Sequence, residues 1–244
     1  MKAAFGDIAE LKGRYPVFDL DSYPNAVMLD KLAAKAGTIS TALASAGYPT
    51  PASSPASWTI TFADVPDVDD TVEGGGKTYT FKDTPASEND VARGSTAVEA
   101  ALNLYGAIEG HRYGTYHADT TKNLYMGADV SAGVVTMYCR RMGSTGANES
   151  VAATGSHPTL AVLSTGGNEY ELLTDLNLAL TARSLLAGQS IGKGSGKANR
   201  SLLDDLESEI EQALAFIEDG GAIRSTSGGT LALPALSPHV DEDA

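Results

Sequence analysis

The sequence predicts an α+β protein, a discontinuous small α-helical bundle interrupted by a β-rich domain containing one helix. Three observations predict it. Apolar residues recur at helical spacing near the start of the chain and again beyond residue 169. Between these stretches the apolar residues alternate in short runs instead. Stretches rich in Gly, Pro and Ser at 47–56 and 164–168 separate the two regimes and suit the hinges of an inserted domain.

A short helix is expected over Asp7–Lys12, ended before Pro16. Within 24–46, Leu29, Leu32, Ala36, Ile39 and Leu43 line one helical face. Asp21 or Ser22 can cap that helix, with Pro24 near its first turn; Gly47 and PTPASSPAS stop it. From Trp58 the pattern becomes β: WTITF and KTYTF alternate and carry β-branched residues. VPDVDDTVEGGG between them is too polar and glycine-rich for a helix. Ser95–Gly110 reads as an isolated helix with Val98, Leu102, Tyr105 and Ile108 on a shared face, capped by Ser95 or Thr96. NLYMGAD, GVVTMYCR and HPTLAVLS then read as short strands.

Helix returns at 169–187, where Leu172, Leu176, Leu180 and Leu185 fall about one turn apart. GQSIGKGSGKAN is a flexible connector. Ser201 with Asp204 forms a capping-box pattern opening a last helix, whose seam is Leu203, Leu206, Ile210, Leu214 and Ile217. Gly220–Gly221 ends it, and residues 225–244 form an extended tail.

An amphipathic helix must bury its stripe, so residues 1–55 and 167–224 are expected to form one helical domain. Its core seam is Leu29, Leu32, Ile39, Leu43, Leu176, Leu180, Leu206, Ile210 and Leu214, and residues 56–166 form the inserted β-rich domain.

Charge narrows the function. Of 244 residues, 31 are acidic and 17 basic, a net charge of −14. That balance disfavours tight DNA binding through phosphates. It fits a self-repelling surface, adaptation to high salt, or the acidic lining of a channel through which DNA slides. No run of eighteen uncharged apolar residues suggests a membrane span. Asp7, Glu10, Lys12 and Arg14 stand where a signal peptide needs an apolar core, so export by that route is not expected. Cys139 is the single cysteine; it can form neither an internal disulfide nor a thiolate cage, and reads as a buried thiol in a strand.

Catalytic and ligand motifs fail on inspection. Gly76-Lys77-Thr78 lacks the glycine five positions earlier, where Thr71 stands, and Thr78 opens a strand. Gly196-Lys197 fails likewise, with Ile191 and Ala198 at the required positions. Asp64, Asp67, Asp69 and Asp70 lack the glycine and distant Glu of a calcium loop and read as a solvated acidic hairpin. His111 and His117 have no third ligand in sequence; an enzyme would have to gather them with several acids. Tyr113, Tyr116 and Tyr125 could instead form a protein or glycan contact surface. Asn148-Glu-Ser150 and Asn199-Arg-Ser201 match a glycosylation sequon of low specificity. Asp204, Asp205, Glu207, Glu209 and Glu211 form an acidic face opposite the seam of the last helix. No cofactor, metal or catalytic residue is expected, and the chain reads as a non-enzyme.

The helical halves resemble a known family. ISTALASAGYPTP resembles the end of an early helix in the Mu-type neck, or head–tail adaptor, proteins of tailed viruses. There a helix commonly runs into an Arg-Tyr-x-x-Pro-like turn; Tyr48-Pro49-Thr50-Pro51 fits, with Gly47 in place of the arginine. LLTDLNLALTARSLL is similar to that family's central helix, LDDLESEIEQALAFIEDGGAIRS to its closing helix and turn, and ELKGRYPVF to the opening of many adaptors. WTITFADVPDVDDTVEGGGKTYTFKD, the helix after it, and STGANESVAATG resemble a small module of tailed-virus structural proteins.

The resemblance implies a virion protein of the neck, assembled in the host cytoplasm. It implies a ring of about a dozen copies between the portal and the stopper or tail-completion protein, with DNA passing through the lumen. In such families an extended terminal segment reaches the portal. The matching candidate is the apolar strip Leu231, Leu233, Pro234, Leu236 and His239. The alternative expectation is a tail or surface virion protein whose β-rich domain binds a glycan or receptor.

Overall fold

A computed structural model describes residues 4–16, 18, 20–48, 55–141, 150–167, 170–189, 198–224 and 230–232. The fold is α+β, and its buried apolar side chains gather in two clusters.

The first cluster is helical and draws on both ends of the chain. Its helices are α1 (Ile8–Arg14), α2 (Asn25–Ser45), α4 (Glu171–Gln189) and α5 (Ala198–Glu218), and α2 and α5 both pack on α4. In α1, Asp7 accepts from the Glu10 amide while Glu10 accepts from the Asp7 amide, a reciprocal cap that fixes its start. Tyr23 Oη donates to the Leu185 carbonyl at 2.6 Å and Tyr48 Oη to that of Gly221 at 2.7 Å. Two tyrosines from the first fifty residues thus tie down carbonyls 162 and 173 residues later.

Leu29, Leu32, Ile39, Leu43, Leu176, Leu206 and Ile210 are buried here. Leu180 and Leu214 depart from expectation and are half-buried, packed at the margin. On α4 the deepest apolar residues are Leu173, Leu176, Ala179 and Ala182. A helix packed between two others has no single wet face, so a one-stripe reading misplaces it. Two caps also differ. Pro24, not Asp21 or Ser22, precedes α2 and provides no side-chain cap. The last helix begins at Ala198, three residues before Ser201.

The second cluster lies between two four-stranded sheets and one helix. The strands are β1 (Ala56–Phe62), β2 (Thr71–Gly74), β3 (Lys77–Lys82), β4 (Asp90–Ala92), β5 (Met126–Ser131), β6 (Val134–Cys139), β7 (Val151–Thr154) and β8 (Pro158–Thr165); α3 (Ala97–Glu109) joins β4 to β5. One sheet runs β5-β6-β1-β8, antiparallel throughout; the other runs β4-β3-β2-β7, with β3 and β4 parallel. Phe62 of β1 meets Phe81 of β3 edge-on at 5.4 Å between ring centroids, joining the inner faces of the two sheets.

α3 overturns an expectation. Its buried face carries Ala100, Ala101, Leu104, Ala107 and Ile108, while Val98 is 55% exposed and Leu102 37%. Small residues let the helix backbone lie close to its neighbours. At Gly106 an added Cβ would sit 2.9 Å from the Gly114 backbone. β2, β4 and β7 are strands that alternation does not reveal. Each is three or four residues long and exists through pairing with a neighbour.

Within the C-terminal strip the structure places Leu231 alone. Ile223–Arg224 (β9) pairs antiparallel with Thr230–Leu231 (β10), and Leu231 is only 4% exposed within the helical cluster. It is a core residue, not a docking residue. Leu233, Pro234, Leu236 and His239 lie outside the described residues, as do the connector residues 190–197 and Asn148.

Candidate interaction surfaces

The two clusters meet along the N-terminal segment. The Ala4 amide donates to the Arg140 carbonyl at 2.7 Å, and Ala4 bridges to Arg141, just past β6. On the other side the Thr174 hydroxyl of α4 donates to the Phe5 carbonyl at 2.8 Å. Arg141 pairs with Glu10 of α1 at 2.9 Å. A cavity of about 20 Å³ lies beside this strap between Asp7, Leu32, Tyr125 and Arg140, large enough for about one water. The segment is thus a strap that couples the orientation of the β-rich unit to α1 and α4.

Outside the strap lies an open groove of about 480 Å³, lined by Glu10, Gly13, Arg14, Glu171, Thr174, Asp175 and Leu178. Arg14 spans it, contacting Asp175 at 2.7 Å and Glu209 of α5 at 2.8 Å. Burial works against the charge of Arg14, but Glu209 and Asp175 outweigh it and raise its pKa. For Asp175, burial raises the pKa against the pull of Arg14, with Glu171 and Glu209 adding to the rise. Burial, reinforced by Glu209, pushes the Tyr15 phenol up to about 12. The groove ties α1, α4 and α5 together and presents carboxylates outward. Of the expected acidic face on α5, Glu209 serves this network and Glu207 pairs with Arg183 at 2.7 Å; Asp204, Asp205 and Glu211 are exposed.

A third surface runs along the outer side of α3. Val98 and Leu102 lead to half-buried Tyr105, whose ring lies 5.7 Å from His111, which lies 6.3 Å from Tyr113. Tyr113 is 73% exposed. Exposed Arg112 makes no ion pair among the described residues. Tyr116 sits apart with its hydroxyl donating to the His111 carbonyl, and Tyr125 lies near the strap. His117 faces Asp119 at 3.9 Å and does not join His111 in a ligand set. Among the described residues no group of three His, Cys, Asp or Glu side chains is placed to hold a metal ion.

The remaining motifs take structural roles. Lys77 follows the Gly75–Gly76 turn and donates to the carbonyl and hydroxyl of Thr121 at 2.6 and 2.8 Å, away from any helix start. Asp70 departs from the solvated-loop reading: it is 6% exposed and accepts from the Asp67 amide at 3.0 Å. Gly155, at φ +119, leaves no room for a side chain beside the Asp70 carboxylate. Asp69 pairs with Lys82, and His157 lies 3.7 Å from Asp67. Cys139 is buried at the end of β6.

The feature that sequence reasoning missed is the edge of β8. This strand pairs with β1 on one side and is the last strand of its sheet. Val162 and Leu163 are 62% and 61% exposed, among the large apolar residues most open to solvent. Thr159–Thr165 contains no ionisable side chain, in a chain of net charge −14. The signal was present as an uncharged apolar run, but a run alone does not tell a core strand from an edge.

No protein-family model matches this chain, and no characterised protein matches its sequence.

Proposed function

We propose that the protein is a head–tail adaptor of a tailed virus, forming an oligomeric ring between the portal and the stopper or tail-completion protein. The likeness of its helical segments to neck proteins supports the reading. The observation that carries it is a helical cluster built from both ends of the chain around an uninterrupted β-rich unit. In this reading the helices pack between copies while the β-rich unit braces neighbours or projects outward, held by the strap at Ala4 and Phe5. An acidic protein suits a lumen through which DNA slides without being held, because carboxylates repel phosphates. No helix among the described residues is long and apolar enough to cross a membrane. Electron microscopy of the purified protein, or of the virion neck, tests the reading, with rings as the expected outcome. A strictly monomeric protein with no affinity for portal counts against it.

One observation favours a second reading, that of a surface virion protein recognising a glycan. Tyr105, His111 and Tyr113 form a run of rings ending in a largely exposed tyrosine, with exposed Arg112 next to it in the chain and without an ion pair among the described residues. Sugar rings stack on such aromatics, and an unpaired guanidinium suits an acidic sugar. Screening the full chain on a glycan array, with Tyr113→Ala as control, tests it. Uniform silence sinks it.

A further inference from the structure

We propose that the C-terminal segment Leu233–Val240 of one copy adds as a strand to the free edge of β8 in the next copy. The inference rests on the ring reading and names the contact that would close the ring.

Among the described residues the receiving edge is unpaired on its outer side, apolar at Val162 and Leu163, and without charge from Thr159 to Thr165. An exposed strand edge offers amides and carbonyls that another extended chain can satisfy. Net charge decides where copies can meet. At −14 they repel over most of their surface, so contact is cheapest where neither side brings a carboxylate. The segment LPALSPHV has no Asp, Glu, Lys or Arg, and the acids Asp241, Glu242 and Asp243 begin only after it.

The prolines have the spacing an added strand requires. In an extended chain, alternate residues direct their backbone N–H and C=O to opposite sides. Pro234 and Pro238 have the same parity, so in an added strand both missing N–H groups would fall on one side. In an added strand Leu233, Ala235, Ser237 and His239 would then present intact groups to the other side, toward β8. The added strand would turn its proline-blocked side outward, which prevents a further strand from joining.

The segment begins where the described chain is anchored: Leu231 is held in the helical cluster by its pairing in β10. The eight residues Leu233–Val240 can span roughly 26 Å when extended. A tail on one copy and an edge on the next make a head-to-tail contact, the kind that closes into a ring when the rotation permits.

Complementation between two full-length variants tests this. Wild-type chain is expected to assemble, read by light scattering coupled to size exclusion. Val162→Asp damages the edge and spares the tail; Ala235→Pro removes a tail N–H on the side facing β8 and spares the edge. Each alone is expected to run as a 25.2 kDa monomer. Mixed one to one, they are expected to form dimers and stop there, because one good tail meets one good edge. Pro238→Ala, on the outward side, should assemble as wild type does. Leu163→Asp replaces Val162→Asp if the latter loses its circular-dichroism spectrum. If wild type assembles and Ala235→Pro still does, the inference is wrong while the ring reading stands. If Ala235→Pro assembles but Val162→Asp does not, edges pair with edges and the tail is not the occupant. If wild type is monomeric and stays so with portal present, both readings fail.

Discussion

In the β-rich cluster Asn103, Asn123, Glu109 and Arg140 are buried and fully engaged. In the helical cluster Asn177 and Thr181 are each 0% exposed, and their polar side-chain atoms have no partner among the described residues. Asn123 donates to the Gly74 carbonyl and Tyr79 hydroxyl and accepts from the amides of Tyr125 and Met126. Asn103 bridges the Ala92 carbonyl and the Thr115 amide. Glu109 takes Arg140 at 2.9 Å and the Ala128 amide at 2.8 Å. Among described residues of that cluster's region, half-buried Asn89 leaves its Oδ1 without a hydrogen bond. Buried polar groups with good partners specify one arrangement of strands and loops, whereas unpartnered ones lower stability. The β-rich unit is therefore keyed by its polar core, and the helical cluster holds together in spite of one.

The contrast between the two clusters rests most heavily on Asn123. Asn123→Ala strands several buried groups at once, for an expected loss of about 4 kcal/mol in urea unfolding. An effect below about 1 kcal/mol would mean that the network specifies little.

Glu109→Gln comes next, at about 3 kcal/mol near neutral pH, because it leaves the Arg140 charge buried without its counterion. Burial raises the Glu109 pKa, but Arg140 and the Ala128 amide outweigh it, so the folded value lies below the ordinary 4.5. The ionised form therefore contributes stability that is present above about pH 4.5 and lost as pH falls through the folded value. The gap between wild type and Glu109→Gln should shrink on acidification over that window. A constant gap down to pH 2 would exclude the ion pair as its source.

Thr181→Val should act with the opposite sign. It removes an unpartnered hydroxyl at nearly constant shape and should stabilise by about 1 kcal/mol, raising Tm by roughly 2–4 °C. A drop in Tm would show that the hydroxyl has a partner in the working state, and the contrast between the clusters would dissolve.

Arg14→Ala should matter least, about 0.5 kcal/mol or less in low salt and nearly nothing in high salt. Arg14, Asp175 and Glu209 are all about a third exposed.

Much of the fold was legible where a single period governs a whole element. Leu32, Ile39 and Leu43 on α2, and Leu206 and Ile210 on α5, lie buried on helices that touch the core along one side. The alternating runs WTITF and KTYTF fall in β1 and β3. The candidate surfaces were far less legible. Tyr113 was singled out and is exposed, but the strap at Ala4 and Phe5, the Arg14 groove and the β8 edge all join residues distant in sequence. Spacing along a chain carries no record of such partners.

The α+β class, the buried positions Leu32, Ile39 and Leu43 of α2 and Leu206 and Ile210 of α5, and the acidic balance are readable along the chain. Local periodicity and composition suffice for these because each depends on one element or on a sum. Tertiary structure decided which side of α3 is buried, choosing Ala100, Leu104 and Ala107 over Val98 and Leu102 because close approach favours small side chains. It made strands of Thr71–Gly74, Asp90–Ala92 and Val151–Thr154, which pair only once a neighbour is in place. It also drew Leu231 into the core while leaving Val162 in water, since burial is a property of what packs against a residue and not of the residue alone.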